Sequence, residues 1–164
     1  MTKHESMRGY FAYELYQQMA SNPDIILLVG DLGYLMFDKI RDDYPKQFIN
    51  VGAAESSMLD IAVGLAYSGK KVFVYSITNF LLYRPFETIR TYIDHEKLPI
   101  VLCGSGRNKD YHIDGYSHQS EDAKQILDCL PNIKQLWPDT KEEIPLLVKE
   151  MVESKGPVFI SLKR

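Results

Sequence analysis

Six short apolar runs punctuate this chain, and a longer segment of helical period separates each from the next. "DIILLVG" (24–30), "QFINVG" (47–52), "KVFVYS" (71–76), "PIVLCG" (99–104), "IKQLW" (133–137) and "PVFISL" (157–162) have the length and composition of strands. Several are apolar almost throughout, which requires cover on both faces. Helix-spaced apolar residues fill 6–20, 56–68, 80–94, 121–129 and 141–153, with a shorter helix expected over 35–43. Gly69 is placed to end the helix over 56–68, and Asp139 or Thr140 to start the last one. Strands that alternate with helices need crossover connections. The expected fold is therefore α/β: a three-layer, doubly wound, mostly parallel six-stranded sheet with helices on both faces.

At 164 residues and 45% apolar content, the chain can enclose a full core. No repeat, low-complexity stretch or linker divides it, so 1–164 reads as one domain. A formal charge of −3 gives no electrostatic reason to expect nucleic acid or a membrane surface as partner. No apolar run approaches membrane-spanning length, and "MTKHESMRGY" lacks a signal-peptide core. A cytoplasmic protein is expected. Cys103 and Cys129 lie far apart in sequence, form no metal-ligand pair and read as reduced thiols.

In a doubly wound sheet, ligands bind at the carboxyl ends of the strands. Those ends carry "GDLGY", "GAAES", "SITNF", "GSGRNKDYHIDGYSH" and "WPDT". The fourth far exceeds the usual connection of about 2–6 residues and is the candidate substrate-facing loop. Neither GxGxxG nor GxxxxGK follows the first strand, which argues against a self-contained dinucleotide or nucleoside triphosphate site.

Glu55 stands between an apolar strand-like run and an apolar helix-like run. It is either a surface acid at a helix N-terminus or a desolvated carboxylate with a task. The apolar helix that follows, "SSMLDIAVGLAYSG", favours desolvation without deciding between the two. His118 and Asp114 sit in the polar loop, where glycines allow a ligand to approach the backbone. Histidine suits proton transfer near neutral pH, and a surface histidine capping the next helix reads equally well from local sequence. Phe80 and Tyr83 fall in the first turn of a helix that leaves a strand's carboxyl end, where they can wall a flat ring. Arg8 and Arg164 read as terminal surface charge, except that Arg164 directly follows a buried strand.

Taken in order, "NVGAAESSM", "RPFETIR", "DGYSHQSEDAKQI" and "WPDTKEEI" resemble the pyrimidine-binding domain of transketolase, a thiamine diphosphate-binding fold. The resemblance runs from "MRGYF" to "GPVFISLKR" and is closest to the separate carboxyl-terminal subunits of split transketolase-like enzymes. It implies that Glu55 hydrogen-bonds the cofactor's aminopyrimidine and promotes the tautomer that deprotonates the thiazolium carbon. Phe80 and Tyr83 match the aromatic pocket of the pyrimidine, Ile77 stands where transketolases commonly place another aromatic, and Asp31 matches an acid near the cofactor. His118 and Asp114 match residues that contact ketose hydroxyls, the histidine also assisting proton movement. Arg8 and Arg164 resemble two arginines that hold a substrate phosphate or similar anion. Tyr116 replaces the proline usual in the "DGPTH" pattern, and the insert over 107–113 is peculiar to this chain.

The implied reaction carries a two-carbon ketol unit from a ketose, phosphorylated or not, to an aldose. No residue here is expected to bind metal. The GDG-type motif for diphosphate and Mg2+ is absent, as is the third transketolase domain. An amino-terminal-type partner subunit is therefore expected to hold the diphosphate and Mg2+, in an α2β2 heterotetramer. The alternatives are a subunit of a 2-oxo acid enzyme resembling deoxyxylulose phosphate synthase or pyruvate dehydrogenase, a non-catalytic assembly subunit, and an independent flavodoxin-like binding module.

Overall fold

Every ladder in the sheet is parallel, and the strand order is β2-β1-β3-β4-β6-β5. This comes from a computed structural model that describes residues 1–164. The strands are β1 (Ile25–Val29), β2 (Phe48–Asn50), β3 (Lys71–Ile77), β4 (Ile100–Ser105), β5 (Lys134–Leu136) and β6 (Val158–Leu162). The sheet is thus wholly parallel where a mostly parallel one was expected. The helices are α1 (Met7–Ser21), α2 (Asp38–Asp43), α3 (Glu55–Tyr67), α4 (Thr78–Tyr83), α5 (Phe86–Thr88), α6 (Ala123–Asp128) and α7 (Ile144–Glu153).

Alternation along the strands divides the interior into two cores. Ile25, Leu27 and Val29 of β1, Phe73 and Tyr75 of β3, and Val158, Ile160 and Leu162 of β6 face a layer that includes Phe11, Leu15, Val148 and Met151 of α1 and α7. Ile26, Leu28, Val72, Val74, Leu102 and Phe159 face the opposite layer, with Met58, Leu59 and Ala62 of α3 and Leu81 and Leu82 of α4. Full apolar strands were the sequence signature of this arrangement, because a side chain on either face meets a helix rather than water.

Three helices differ from the sequence pattern, each for a local reason. The continuous helix expected over 80–94 is broken. Pro85 lacks the N–H that would continue α4, so the chain ends α4, restarts as α5 and runs into a π-helical segment, Ile89–His95. Phe80 keeps its place in the first turn, whereas Tyr83 closes α4 instead of opening a long helix. The last helix begins as a 3-10 turn, Lys141–Glu143, held by a capping box between Thr140 and Glu143. Only Asp38–Asp43 of the expected 35–43 is helical, because Leu35 has φ 64. Gly69 does end α3, with φ 84 and its N–H donating to the Ala66 carbonyl at 3.0 Å. Both cysteines are free, Cys103 buried and Cys129 exposed. No helix is long and apolar enough to cross a membrane.

The order of the strands fixes where a ligand can enter. From β1 the chain moves outward to β2, then crosses back over β1 to form β3 on its other side. The crevice between β1 and β3 at their carboxyl ends is therefore a topological switch point. Gly30 closes β1 there, Ser76 belongs to β3, and α3 arrives from β2 with Glu55 as its first residue.

Candidate active site

Glu55 is 2% exposed, so it is no surface helix acid. Its Oε1 accepts a hydrogen bond from Ser76 Oγ at 2.9 Å. A Cβ on Gly30 would stand 3.3 Å from Glu55 Oε1 and 3.2 Å from Ser76 Oγ, so the missing side chain at Gly30 leaves room for the carboxylate. The other carboxylate oxygen, Oε2, accepts from Arg84 Nη1 at 2.6 Å. An acid this deeply buried needs such partners, since an unpaired buried charge is strongly unfavourable.

Around this acid, α4 builds an aromatic wall. Phe80 and Arg84 are one helical turn apart, and the Arg84 guanidinium lies 3.8 Å from the centroid of the Phe80 ring. His118, from the 3-10 turn Tyr116–His118, meets Phe80 edge to face at 4.8 Å between centroids. Phe80, Tyr83 and Arg84 share a cavity of about 330 Å³ with Asn79, Tyr116 and Asp122. Burial and the neighbouring Asp122 push the Tyr83 phenol above its ordinary range. Asn79 donates to the Ser117 carbonyl at 3.2 Å, while its own Oδ1 is buried without a partner. Ile77 is half-buried where β3 turns into α4, one residue from Ser76.

Asp31 lies farther along the same edge. It has φ 55, an unusual value for a residue with a side chain, and an exchange with Asn50 holds it there. Asp31 N–H donates to Asn50 Oδ1 at 3.1 Å and Asn50 Nδ2 donates to Asp31 Oδ1 at 3.2 Å. Tyr34 Oη adds a bond to the same carboxylate at 3.0 Å.

Residues 107–113 bring the two ends of the chain together through Tyr111. Its hydroxyl is 2.8 Å from Ser105 Oγ and accepts from Arg8 Nη1 at 3.1 Å, while the Arg164 guanidinium sits 4.8 Å over its ring. Gly106, at φ 83, leaves the space that the Tyr111 ring fills. Asp110 anchors the segment by accepting the N–H groups of Arg107 and Arg164, both at 2.9 Å. Arg107 pins it to β6 through Ser161 Oγ at 3.0 Å and to the Pro138 carbonyl at 2.8 Å. Arg8 has no carboxylate partner, its Nε is buried and unpaired, and it borders a cavity of about 400 Å³ with His4, Ser6 and Tyr34.

The structure thus gathers Glu55, Phe80, Tyr83 and His118 into one neighbourhood and joins Arg8 to Arg164 through Tyr111. Asp114 stands apart on an exposed turn, where its carboxylate has no partner within the chain. Sequence reasoning missed Ser76, Asn50, Tyr111 and Arg84. Arg84 alone had a local signal: an arginine four residues after Phe80 on one helix is placed to reach over that ring.

A parallel sheet with this switch point and a buried acid beside an aromatic wall defines a class of ligand-binding α/β domains, and comparison with known proteins identifies the family. Residues 3–164 match the family described as the transketolase pyrimidine-binding domain, and the chain belongs to it. It is 28% identical over 162 residues, 98% of this chain and 51% of the relative, to a putative transketolase C-terminal section of Methanocaldococcus jannaschii. It is 27% identical over 158 residues to one of the subunits of apulose-4-phosphate transketolase from Phocaeicola vulgatus, covering 96% of this chain and 51% of the relative. A solved split-gene transketolase, described as an inactive beta4 tetramer, superposes with a TM-score of 0.85 at 28% identity, over 97% of this chain and 51% of that one. The chain spans about half the length of these relatives.

Proposed function

We propose that this chain is the pyrimidine-binding unit of a split, thiamine diphosphate-dependent transketolase-like enzyme. Residues 1–164 act as one domain in a cytoplasmic α2β2 heterotetramer whose amino-terminal-type partner holds the diphosphate and Mg2+. The observation that carries the reading is Glu55, an acid 2% exposed at a switch-point crevice and adjoining the exposed flank of a phenylalanine-lined cavity. Membership of the pyrimidine-binding family and relatives named as transketolase subunits support it.

The residues fit the cofactor's pyrimidine end. Glu55 offers a buried carboxyl group to a ring nitrogen, Phe80 and Tyr83 offer apolar surface, Asn79 Oδ1 is an acceptor in want of a donor, and Ile77 and Asp31 border the approach. When bound, the cofactor supplies the nucleophile and electron sink for cleaving a ketose beside its carbonyl. Glu55 then holds a proton at the ring nitrogen, with Ser76 fixing one carboxylate oxygen. His118 moves protons at the sugar hydroxyls, Asp114 orients the sugar from its exposed turn, and Arg8 with Arg164 receives a terminal anion of the donor.

The test replaces Glu55 by glutamine in the complex with its partner subunit. Glutamine keeps the shape but cannot supply the acidic proton. Hydrogen–deuterium exchange at the thiazolium carbon should slow by about 10²–10⁴-fold, the range of general acid–base catalysis. Unchanged exchange in an intact, cofactor-loaded complex would overturn the reading. A second reading has its own support: 1-deoxy-D-xylulose-5-phosphate synthase of Gloeothece citriformis is 28% identical over 94% of this chain, though the match covers 24% of that protein. Release of carbon dioxide from a 2-oxo acid, with no ketol transfer, would select it.

A further inference from the structure

Arg84 is the one strong partner of Glu55 that the proposed reaction leaves unused. Its guanidinium has three properties at once: it is flat, it stacks on Phe80 with its carbon 3.8 Å from the ring centroid, and it donates an N–H to Glu55 Oε2 at 2.6 Å. A pyrimidine ring bound between the same two residues would also be flat, would stack on Phe80 and, in the tautomer protonated at its ring nitrogen, would donate an N–H to Glu55. Both cannot lie on the same Phe80 face and bond the same carboxylate oxygen. The two ends of the ion pair are also unequally committed: the Glu55 side chain is 2% exposed and that of Arg84 is 46% exposed. Glu55 cannot leave the crevice without losing Ser76, whereas Arg84 reaches water by turning about its own side-chain bonds. Its backbone stays put, with the Arg84 carbonyl accepting from Ser56 Oγ at 3.3 Å and Pro85 fixing the next bond.

We propose that Arg84 is a positioning residue that stands in for the cofactor's pyrimidine ring. In the cofactor-free chain it keeps Glu55 aimed into the crevice and covers the face of Phe80, and the incoming ring displaces it toward solvent. The inference rests on the thiamine diphosphate reading of this site. It gives the buried acid a partner at every stage: arginine before loading, ring nitrogen after it. It also makes Arg84 a competitor, so that apparent affinity for the cofactor is weakened by the fraction of sites that the guanidinium occupies.

The test is calorimetric titration of thiamine diphosphate with Mg2+ into the complex of this chain and its partner subunit, for wild type, Arg84→Met and Arg84→Lys. If Arg84 fills the site about nine-tenths of the time, Arg84→Met should bind the cofactor about tenfold more tightly. Arg84→Lys, which keeps the charge but not the flat stack, should fall between the two. Thermal unfolding should show the opposite order in the absence of cofactor, with Arg84→Met the least stable and the difference closing once the cofactor is saturating. Arginine side-chain N–H resonances give a direct signature: the Arg84 signal should be protected in the cofactor-free chain and lose that protection on loading. Should Arg84→Met fail to fold, Arg84→Lys and the wild-type resonance carry the test alone. Equal or weaker cofactor binding by the variants, or an Arg84 resonance that stays protected after loading, overturns the proposal. No binding of thiamine diphosphate by the wild-type complex would instead overturn the cofactor reading beneath it.

Discussion

Tyr111→Phe removes one oxygen from the knot that ties the loop after β4 to both ends of the chain. The ring remains, so the space beside Gly106 stays filled and Arg164 keeps its stacking surface. Two hydrogen bonds disappear, to Ser105 Oγ at 2.8 Å and from Arg8 Nη1 at 3.1 Å. Ser105 is fully buried, and its Oγ retains only the longer 3.4 Å contact from Arg8. A neutral hydrogen bond contributes about 1 kcal/mol net and one to a charged group about 1.5–3 kcal/mol. Arg8 is half-buried and can recover part of its loss from water, so the lower end applies, about 2 kcal/mol. A domain of this size loses about 2–4 °C of melting temperature per kcal/mol, which gives a drop of about 4–8 °C. The assay is thermal unfolding of the full chain by circular dichroism, with Tyr116→Phe as reference. Tyr116 is 82% exposed, and its hydroxyl should matter by less than about 0.5 kcal/mol. If the two variants melt together, the Tyr111 hydroxyl does not hold the insert and the account of residues 107–113 is wrong.

Three further outcomes are expected. Burial, with Lys155 nearby, pulls the Lys71 ammonium down to about 8 from its ordinary 10.5. The unfolded chain therefore binds more protons than the folded one between those values, and stability should rise as pH increases through that window, while below about 8 the penalty is constant. Lys71→Met should lack the rise, as urea unfolding across pH would show. Arg164→Ala should raise the KM of a phosphorylated ketose while leaving cofactor binding unchanged; an unchanged KM for the phosphorylated ketose in the variant would exclude the anion role. Burial pushes the Cys103 thiol well up, so a thiol reagent should label only Cys129 in the native chain, and mass spectrometry finding two labels without denaturant would contradict the packing of β4.

What could be read from the sequence depended on whether the cause was local. The strands announced themselves because a two-faced interior forces apolar residues at successive positions, as in "DIILLVG". Glu55 was legible in part: the apolar helix after it favoured burial over a surface acid without deciding between them, and the packing of α3 at the switch point decides it. Pro85 carried the break after α4 in plain view, although the spacing of apolar residues across it suggested one long helix. The knot at Tyr111 was not legible, because Arg8 lies 103 residues before it and Arg164 comes from the far end of β6, and they meet only when β4 and β6 pair beside α1. Nothing in "RNKDYHI" distinguishes a tyrosine that bridges two arginines from one that faces water. The Glu55–Arg84 pair lies between these cases. The Phe80–Arg84 half follows from helical spacing, whereas the Glu55 half exists only because α3 and α4 converge on the switch point.

The strand order has a bearing on how the chain is made. β6 follows the other five strands of this sheet in sequence, yet it lies inside the sheet, between β4 and β5. While the nascent chain lacks Val158–Leu162, β4 presents a bare edge on the ribosome-bound intermediate and β5 has no neighbour to pair with. The layer of α1 and α7 likewise waits for Ile160 and Leu162 to complete it. Folding of N-terminal parts during synthesis can set up β1, β2, β3 and β4, but the second half of the sheet must be inserted afterwards as a unit. Chaperone contact should accordingly concentrate on the exposed flank of β4 until Val158–Leu162 emerge.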